Sequence, residues 1–180
     1  MRVITGTARG TQLKAPKGTD TRPTLDQVKE GIFSAIQFEV EGRRVLDLFA
    51  GSGQMGIEAL SRGAKSAVFV DAGKEACCVV RQNLEKTRLL ERAQILQQDS
   101  LAYLSSCKER FDLIFLDPPY AKDLLENALK RISEIDILSD SGIIICERSA
   151  DKALLSEYPG FSCWREYRYG SAAVTIYRRI

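Results

Sequence analysis

Regular alternation of short apolar runs with helical patterns, from residue 44 onward, is the feature that most limits the folds open to this chain. The apolar runs predict strands at 44–49, 67–71, 93–97, 113–116 and 142–147. Apolar residues at helical spacing between them predict helices at about 54–62, 74–89, 100–107 and 122–135. Strands that alternate with helices form a parallel sheet that is covered on both faces and joined by right-handed crossovers. The sequence therefore predicts an α/β protein with a doubly wound, Rossmann-like sheet.

The last part of the chain predicts a different arrangement. Residues 162–169 and 172–179 are two β-prone runs on either side of Gly170-Ser171. A glycine-containing turn between two such runs is typical of an antiparallel hairpin. We therefore expect a mostly parallel sheet that ends in an antiparallel C-terminal hairpin strand.

The residues before the first core strand form a predicted extension. Runs at 2–5 and 11–14 predict a small β-hairpin, and Thr24 predicts the start of a helix that reaches to about residue 38. A simple nucleotide-binding domain does not need these elements, which favours a role in contacting the substrate or covering a cofactor. The predicted division is therefore an N-terminal extension, 1–43, and a main domain, 44–180.

The fourth predicted strand breaks off into Asp117-Pro118-Pro119-Tyr120. Prolines lack a backbone N–H and have a fixed φ, so a central strand cannot continue through two of them. The strand must stop at Asp117 and present these residues at its carboxyl end, where ligands bind in open α/β sheets. The carbonyl of Pro118 has no donor beside it on Pro119, so it can accept a hydrogen bond from a ligand. The alternative interpretation is a rigid turn in which Asp117 caps a helix.

A glycine-rich turn, Gly51-x-Gly53-x-x-Gly56, follows the first predicted strand and opens a helix. Gly51 and Gly53 let the backbone turn sharply and approach a ligand closely. Asp71 lies 20 residues after Gly51, at the end of the second strand, where a carboxylate can bind the ribose hydroxyls of a nucleoside. Taken alone, this pattern fits NAD as well as S-adenosylmethionine.

Two further acids favour S-adenosylmethionine. Asp47 lies four residues before Gly51, where its charge would repel a pyrophosphate but attract the amino group of a methionine, directly or through water. Asp99 ends the third strand just before Ser100, where an adenine amino group could be held. The alternative interpretation is that these acids, with Asp71, only cap a loop and the helices that follow.

Composition narrows the chemistry further. The chain has no histidine, which excludes His-based triads and His metal sites. Its five cysteines include no Cys-x-x-Cys pair, which argues against a zinc site or a disulfide framework and indicates reduced thiols in a cytoplasmic protein. Whether Cys77 and Cys78 do more than pack stays open. The apolar runs are too short to span a bilayer, and the first residues have no apolar signal core.

Positive charge is concentrated at the amino end, although the net charge of the chain is only +2. Within the first 25 residues the single acid is Asp20, and the bases are Arg2, Arg9, Lys14, Lys17 and Arg22. A basic segment on a near-neutral protein is typical of local contact with a polyanion. A merely solvated hairpin is an equally open interpretation.

The two main motifs resemble a known family. The run from Asp47 to Gly53, together with Asp117-Pro118-Pro119-Tyr120, is similar to the class I S-adenosylmethionine-dependent methyltransferases, and the Asp-Pro-Pro-Tyr form is typical of those that act on exocyclic amino nitrogens of bases. Further stretches resemble the RsmD family, bacterial 16S rRNA (guanine-N2)-methyltransferases; they lie at 1–6, 22–33 and 56–63. The match runs nearly end to end and is weakest across 120–180.

The resemblance implies a class I methyltransferase sheet and methyl transfer to N2 of one guanine in 16S rRNA, by a cytoplasmic monomer acting on an assembling small subunit without a metal. It implies that the target base is held by Asp117, Pro118, Pro119 and Tyr120. The implied cofactor contacts are Thr24, Asp47, Phe49, Ala50, Gly51, Ser52, Gly53, Gly56, Asp71, Ala72, Asp99 and Ser100. The implied RNA contacts are Arg2, Arg9, Lys14, Lys17 and Arg22.

The chemistry of such a site follows from the weakness of the nucleophile, because the lone pair of an exocyclic amino nitrogen is conjugated with the ring. Asp117 and the carbonyl of Pro118 could accept its two N–H bonds, orient the lone pair and stabilise the developing positive charge. Tyr120 could stack on the flipped base. Alternatives are methylation of DNA at adenine N6 or cytosine N4, an NAD-dependent oxidoreductase, and a non-catalytic RNA-binding protein.

Overall fold

The computed structural model describes residues 1–17, 24–119 and 123–180. The helices are α1 (Thr24–Ala35), α2 (Gln54–Ser61), α3 (Lys74–Thr87), α4 (Ser100–Ser106) and α5 (Leu124–Ile135), with a short 3-10 helix at Leu90–Arg92. The strands are β1 (Arg44–Asp47), β2 (Ser66–Asp71), β3 (Ala93–Gln97), β4 (Phe111–Leu116), β5 (Leu138–Ser149), β6 (Glu157–Tyr158), β7 (Phe161–Tyr169) and β8 (Ala172–Arg179). Within these residues, no helix is long and apolar enough to cross a membrane.

The described strands form one mixed sheet in the order β3-β2-β1-β4-β5-β8-β7-β6. Strands β1 to β5 are parallel, whereas β8 pairs antiparallel with both β5 and β7. The strand order reverses at β1, because β2 lies on one side of it and β4 on the other. Such a switch point leaves a crevice at the carboxyl ends of the strands. The predicted α/β fold with an antiparallel C-terminal hairpin is confirmed.

Strand β4 illustrates why the apolar runs form buried strands. Side chains alternate between the two faces of a strand, and those of β4 divide between two cores. Leu113 and Phe115 pack with residues of α1 and α2, whereas Ile114 and Leu116 pack with residues of α4 and α5. Because both faces are covered, the run is continuously apolar.

The predicted N-terminal hairpin is present as a short antiparallel pairing around the bridge Arg2↔Gln12. Val3 and Leu13 donate their N–H groups across it to the carbonyls of Thr11 and Met1, both at 3.0 Å. The backbone N–H groups of Ile4 and Thr5 donate to the carboxylate of Glu58 on α2, at 2.8 and 3.0 Å, rather than to a partner strand. The ammonium of Lys29 donates to the carbonyl of Arg2 at 2.6 Å and lies 3.8 Å from Glu58. Both side chains are almost completely buried, so the extension is fixed to α2 by an internal ion pair.

Two predicted boundaries were wrong for tertiary reasons. Helix α1 ends at Ala35 rather than near residue 38, since Glu39 donates its N–H to the carbonyl of Ile36 and its carboxylate binds Arg178 of β8. Strand β5 extends from Leu138 to Ser149, beyond the predicted 142–147, because it pairs with β8 as far as Ser149.

Candidate active site

A cavity of about 1240 Å³ lies at the carboxyl ends of the parallel strands. Most of the predicted cofactor residues line it: Asp47, Phe49, Ala50, Gly51, Ser52, Asp71, Ala72, Asp99 and Ser100. The described part of the Asp-Pro-Pro motif, Asp117, Pro118 and Pro119, lines the same cavity. The fold therefore brings three strand-end acids, the glycine-rich turn and the proline motif into one space.

Gly53 and Gly56 are not among the lining residues, and packing accounts for them. Gly53 precedes α2 with a φ of 76°, which favours glycine. A Cβ at Gly56 would lie 2.4 Å from the ring of Phe69, so only glycine lets α2 approach β2 this closely. Of the three motif glycines, Gly51 is therefore the one whose backbone faces the cavity.

Asp47 is buried at the floor of the cavity, with 4% of its surface exposed. Its Oδ2 accepts the N–H of Gly56 at 3.0 Å. Burial, together with the neighbouring charge of Asp71, raises the pKa of Asp47 to about 7, although the hydrogen bond from Gly56 opposes this rise. A buried carboxyl of this kind gains strongly from a cationic ligand.

Asp71 and Asp99 both organise backbone while they line the cavity. Asp71 accepts the N–H of Gly51 at 2.9 Å with one oxygen and that of Gly73 at 2.8 Å with the other. Asp99 caps α4 by accepting the N–H of Ala102 at 2.9 Å. The capping interpretation is therefore correct for Asp99 but wrong for Asp71, because α3 begins after Gly73 without a side-chain cap. An ionised carboxylate has about four lone-pair sites, so each acid keeps acceptor capacity for a ligand.

Asp117 follows β4 directly, and its exposed side chain lines the cavity. Desolvation of its carboxyl by the surrounding cavity wall, the charge of Glu147 and the charge of Asp47 raise the pKa of Asp117 well above its usual range. A ligand that brings N–H donors or positive charge would stabilise the ionised form. Tyr120 lies outside the described residues.

Sequence reasoning missed Glu147, which lines the cavity from β5. The signal was present, because Glu147 is an acid at the carboxyl end of a predicted strand, as Asp71 is. It also missed the β7–β8 turn, where Arg168, Tyr169 and Gly170 line the mouth. Only the sheet order brings that turn beside β5. Helix α1 packs so closely there that a Cβ at Gly31 would lie 2.1 Å from the hydroxyl oxygen of Tyr169.

The predicted RNA-contacting bases lie on the surface outside the cavity. Arg2, Arg9, Lys14 and Lys17 are all exposed. The ammonium of Lys14 donates to the side-chain oxygen of Gln82 at 3.0 Å, which leaves its charge in place. Arg22 lies outside the described residues, as does the side chain of Thr24, whose backbone begins α1.

Comparison with known proteins gives the chain a family. The family model described as "Conserved hypothetical protein 95" matches residues 1–178. The "Putative rRNA methyltransferase YlbH" of Bacillus subtilis is 42% identical over 182 residues, covering 99% of both chains. The "Ribosomal RNA small subunit methyltransferase D" of Haemophilus influenzae is 35% identical over 159 residues, covering 87% of this chain and 82% of that one. The solved structure of "Putative methyltransferase yhhF from Escherichia coli" has a TM-score of 0.88 and 28% identity, covering 99% and 97% of the two chains.

Proposed function

Because this chain belongs to the family described as Conserved hypothetical protein 95, the RsmD-like methyltransferases, we propose that it transfers a methyl group from S-adenosylmethionine to the exocyclic N2 amino group of a guanine in 16S rRNA of the small ribosomal subunit. The observation that carries this proposal is the position of Asp117 and Pro118 on the wall of the cavity that Asp47, Asp71 and Asp99 also line. This combination supplies acceptors for an amino group beside acceptors for a cationic cofactor.

The residues of the cavity fit S-adenosylmethionine better than a dinucleotide. Asp47 would bind the methionine amino group, since a buried carboxylate is stabilised by a cation beside it. The side-chain oxygen of Gln54, a residue that lines the same cavity, is buried without a hydrogen-bond partner among the described residues. A donor is therefore missing at this end of the cavity, and a pyrophosphate, which only accepts, could not supply it.

The other acids suit the nucleoside part of the same cofactor. Asp71 would accept the ribose hydroxyls with the lone pairs that Gly51 and Gly73 leave free. Asp99 would accept from the adenine amino group, and Ser100 is held beside it because its hydroxyl donates to the carbonyl of Leu48 at 2.6 Å. When bound, the cofactor supplies a methyl group already activated by its positive sulfur.

Asp117 and the carbonyl of Pro118 would act on the methyl acceptor. By accepting the two N–H bonds of the amino group, they would turn its lone pair toward the methyl carbon and stabilise the charge that develops on nitrogen. The nitrogen–carbon bond would form as the sulfur–carbon bond broke with its electron pair left on sulfur, and the extra proton on nitrogen would pass to Asp117 or to water. Holding both reactants in line supplies much of the rate enhancement.

The experiment that tests this proposal is transfer of a labelled methyl group from S-adenosylmethionine to three substrates. They are small-subunit particles that lack the modification, naked 16S rRNA and duplex DNA. Label in the particles or in the rRNA supports the proposal. Label in duplex DNA alone would contradict it, as would reduction of NAD by a protein that does not bind S-adenosylmethionine.

A further inference from the structure

Glu147 occupies a position that the proposed chemistry leaves unused. The parallel pairing of β4 with β5 ends at Leu116↔Cys146, so Asp117 and Glu147 are the next residues on the two neighbouring strands. The charge of Glu147 raises the pKa of Asp117. Two carboxylates side by side repel each other, and a ligand that brings N–H donors to both would relieve that cost.

Glu147 also lies between two cavities. A second cavity of about 210 Å³ adjoins the large one and shares Pro118, Pro119 and Glu147 with it. Its other lining residues include Glu126, Arg148 and Leu154. Pockets for drug-sized ligands have volumes of about 300–1,000 Å³. The small cavity lies below this range, which suits a ligand as small as a single heterocyclic base. A base seated there, with its amino edge toward the large cavity, would have Pro118 and Glu147 beside it and would face Asp117 on the wall of the large cavity.

The bases that carry an exocyclic amino group differ at the ring nitrogen beside it. In guanine, the amino group lies between N1, which carries a hydrogen, and N3, which has a lone pair. In adenine and cytosine, the corresponding nitrogen has a lone pair and no hydrogen. An ionised carboxylate only accepts hydrogen bonds, so at this position it attracts guanine and repels the other two bases. An internal contact of Glu147 does not prevent this, because a carboxylate has about four lone-pair sites.

We propose that Glu147 selects guanine by accepting its N1–H, while Asp117 and the carbonyl of Pro118 accept the two hydrogens on N2. This inference rests on the proposed methylation of guanine N2 and deepens it. It assigns base selection to a residue on β5, next to the motif that acts on the amino group. Methylation of adenine N6 and cytosine N4 is disfavoured for the same reason.

The test uses 2-aminopurine, which keeps the 2-amino group but has a lone pair in place of N1–H. It is placed, by RNA ligation, at the position that the wild-type protein methylates. We expect kcat/KM of the wild type to favour guanine over 2-aminopurine by at least about tenfold, as for other hydrogen bonds to charged groups. Glu147→Gln should lower this preference by about tenfold or more, because an amide can also donate to the lone pair.

Glu134→Gln is the matched control, because Glu134 is exposed, lines neither cavity, and the substitution removes the same charge. It should leave the preference for guanine unchanged. A wild type with no preference, an equal loss on both substrates in Glu147→Gln, or an equal effect of Glu134→Gln would each overturn the role of Glu147. If Glu147→Gln fails to fold, the preference of the wild type for guanine over 2-aminopurine still tests the proposal. Absence of N2-methylguanine from the wild type would instead overturn the proposed function itself.

Discussion

At the scale of single residues, Asp47 shows how burial prepares a carboxylate for a cation. Its strand places it 4% exposed beneath the glycine-rich turn, and the hydrogen bond that it accepts from Gly56 does not outweigh the cost of burial. Its pKa of about 7 in the free protein is the result. Two measurable consequences follow, one for ligand binding and one for stability.

We predict that S-adenosylmethionine binds more tightly as the pH rises toward 7. The cationic amino group favours ionised Asp47, so its pKa is lower in the complex than the free value of about 7. Below pH 7 a proton must therefore leave on binding, and Kd should rise by up to about tenfold for each pH unit lost. Calorimetry between pH 5.5 and 7.5 measures this. In Asp47→Asn, the slope of log Kd against pH should be smaller by the contribution of one proton. A Kd of the wild type that does not change with pH would contradict the assignment.

We also predict that Asp47→Asn stabilises the protein at pH 8. A carboxyl whose pKa is raised on folding binds more protons in the folded state, so its contribution to stability falls as the pH rises from about 4 to about 7. Asparagine is neutral and can still accept from Gly56. The free energy of unfolding in urea should increase by roughly 2 to 4 kcal/mol at pH 8 and change little at pH 4. Equal stability of the two proteins at pH 8 would show that burial of ionised Asp47 does not destabilise the folded protein.

Asp117→Ala should abolish most of the methylation and spare the fold. Loss of an acceptor for charge that develops in the transition state lowers kcat by about 10²- to 10³-fold. The Kd of the cofactor should stay within a few-fold, because its acceptors lie on other strands. Asp140→Ala is the control, since its side chain is 95% exposed near the start of β5. Normal turnover by Asp117→Ala would remove Asp117 from the mechanism.

At the scale of elements, the buried pair of Glu58 and Lys29 fixes the extension against α2. Glu58→Gln would leave the buried ammonium of Lys29 with Asp26, at 4.0 Å, as its counter-charge and would also break the ion pair of Glu58 with Arg62. Removing one partner of a buried pair typically costs about 3–5 kcal/mol. We expect a loss of this size in urea denaturation, and partial recovery in the double variant with Lys29→Met. Glu134→Gln, in the exposed pair with Arg131, should cost less than about 1 kcal/mol. Equal losses for the two single variants would mean that the internal pair does not anchor the extension.

The elements also show what the sequence could and could not predict. Buried parallel strands such as β4 are recognisable because both faces are covered and the run is apolar throughout. The N-terminal hairpin was predicted correctly, but its attachment to α2 was not, because Ile4 and Thr5 donate to Glu58, a partner 54 and 53 residues away. The end of α1 depends on Arg178, which is more distant still.

The candidate site follows the same rule. Motif glycines and strand-end acids were found because the fold itself brings such positions together. The Arg168–Gly170 turn was missed because its place in the cavity depends on β8 pairing with β5, and nothing local in the sequence encodes that pairing. Glu147 could have been found by the argument already applied to Asp71, since it too ends a predicted strand.

At the scale of the whole molecule, the exposed bases of the extension are proposed to bind RNA phosphates. Arg9→Glu with Lys14→Glu should raise KM for RNA and flatten the dependence of log KM on log salt, by roughly one unit for each lost phosphate contact. Lys108→Glu with Lys130→Glu is the control, because it makes the same charge change at exposed positions after α4 and on α5, which pack on the other face of the sheet. An unchanged salt slope in the first variant would mean that these bases do not contact RNA phosphates and only form a solvated surface.

The account as a whole depends on which base receives the methyl group and at which atom. The most direct measurement digests the methylated rRNA to nucleosides and identifies the labelled product by chromatography and mass spectrometry. We predict label in N2-methylguanosine, which Asp117→Ala should reduce by about 10²-fold or more. Label in N6-methyladenosine or N4-methylcytosine would contradict the account, because Glu147 and Asp117 would then be reading a different edge.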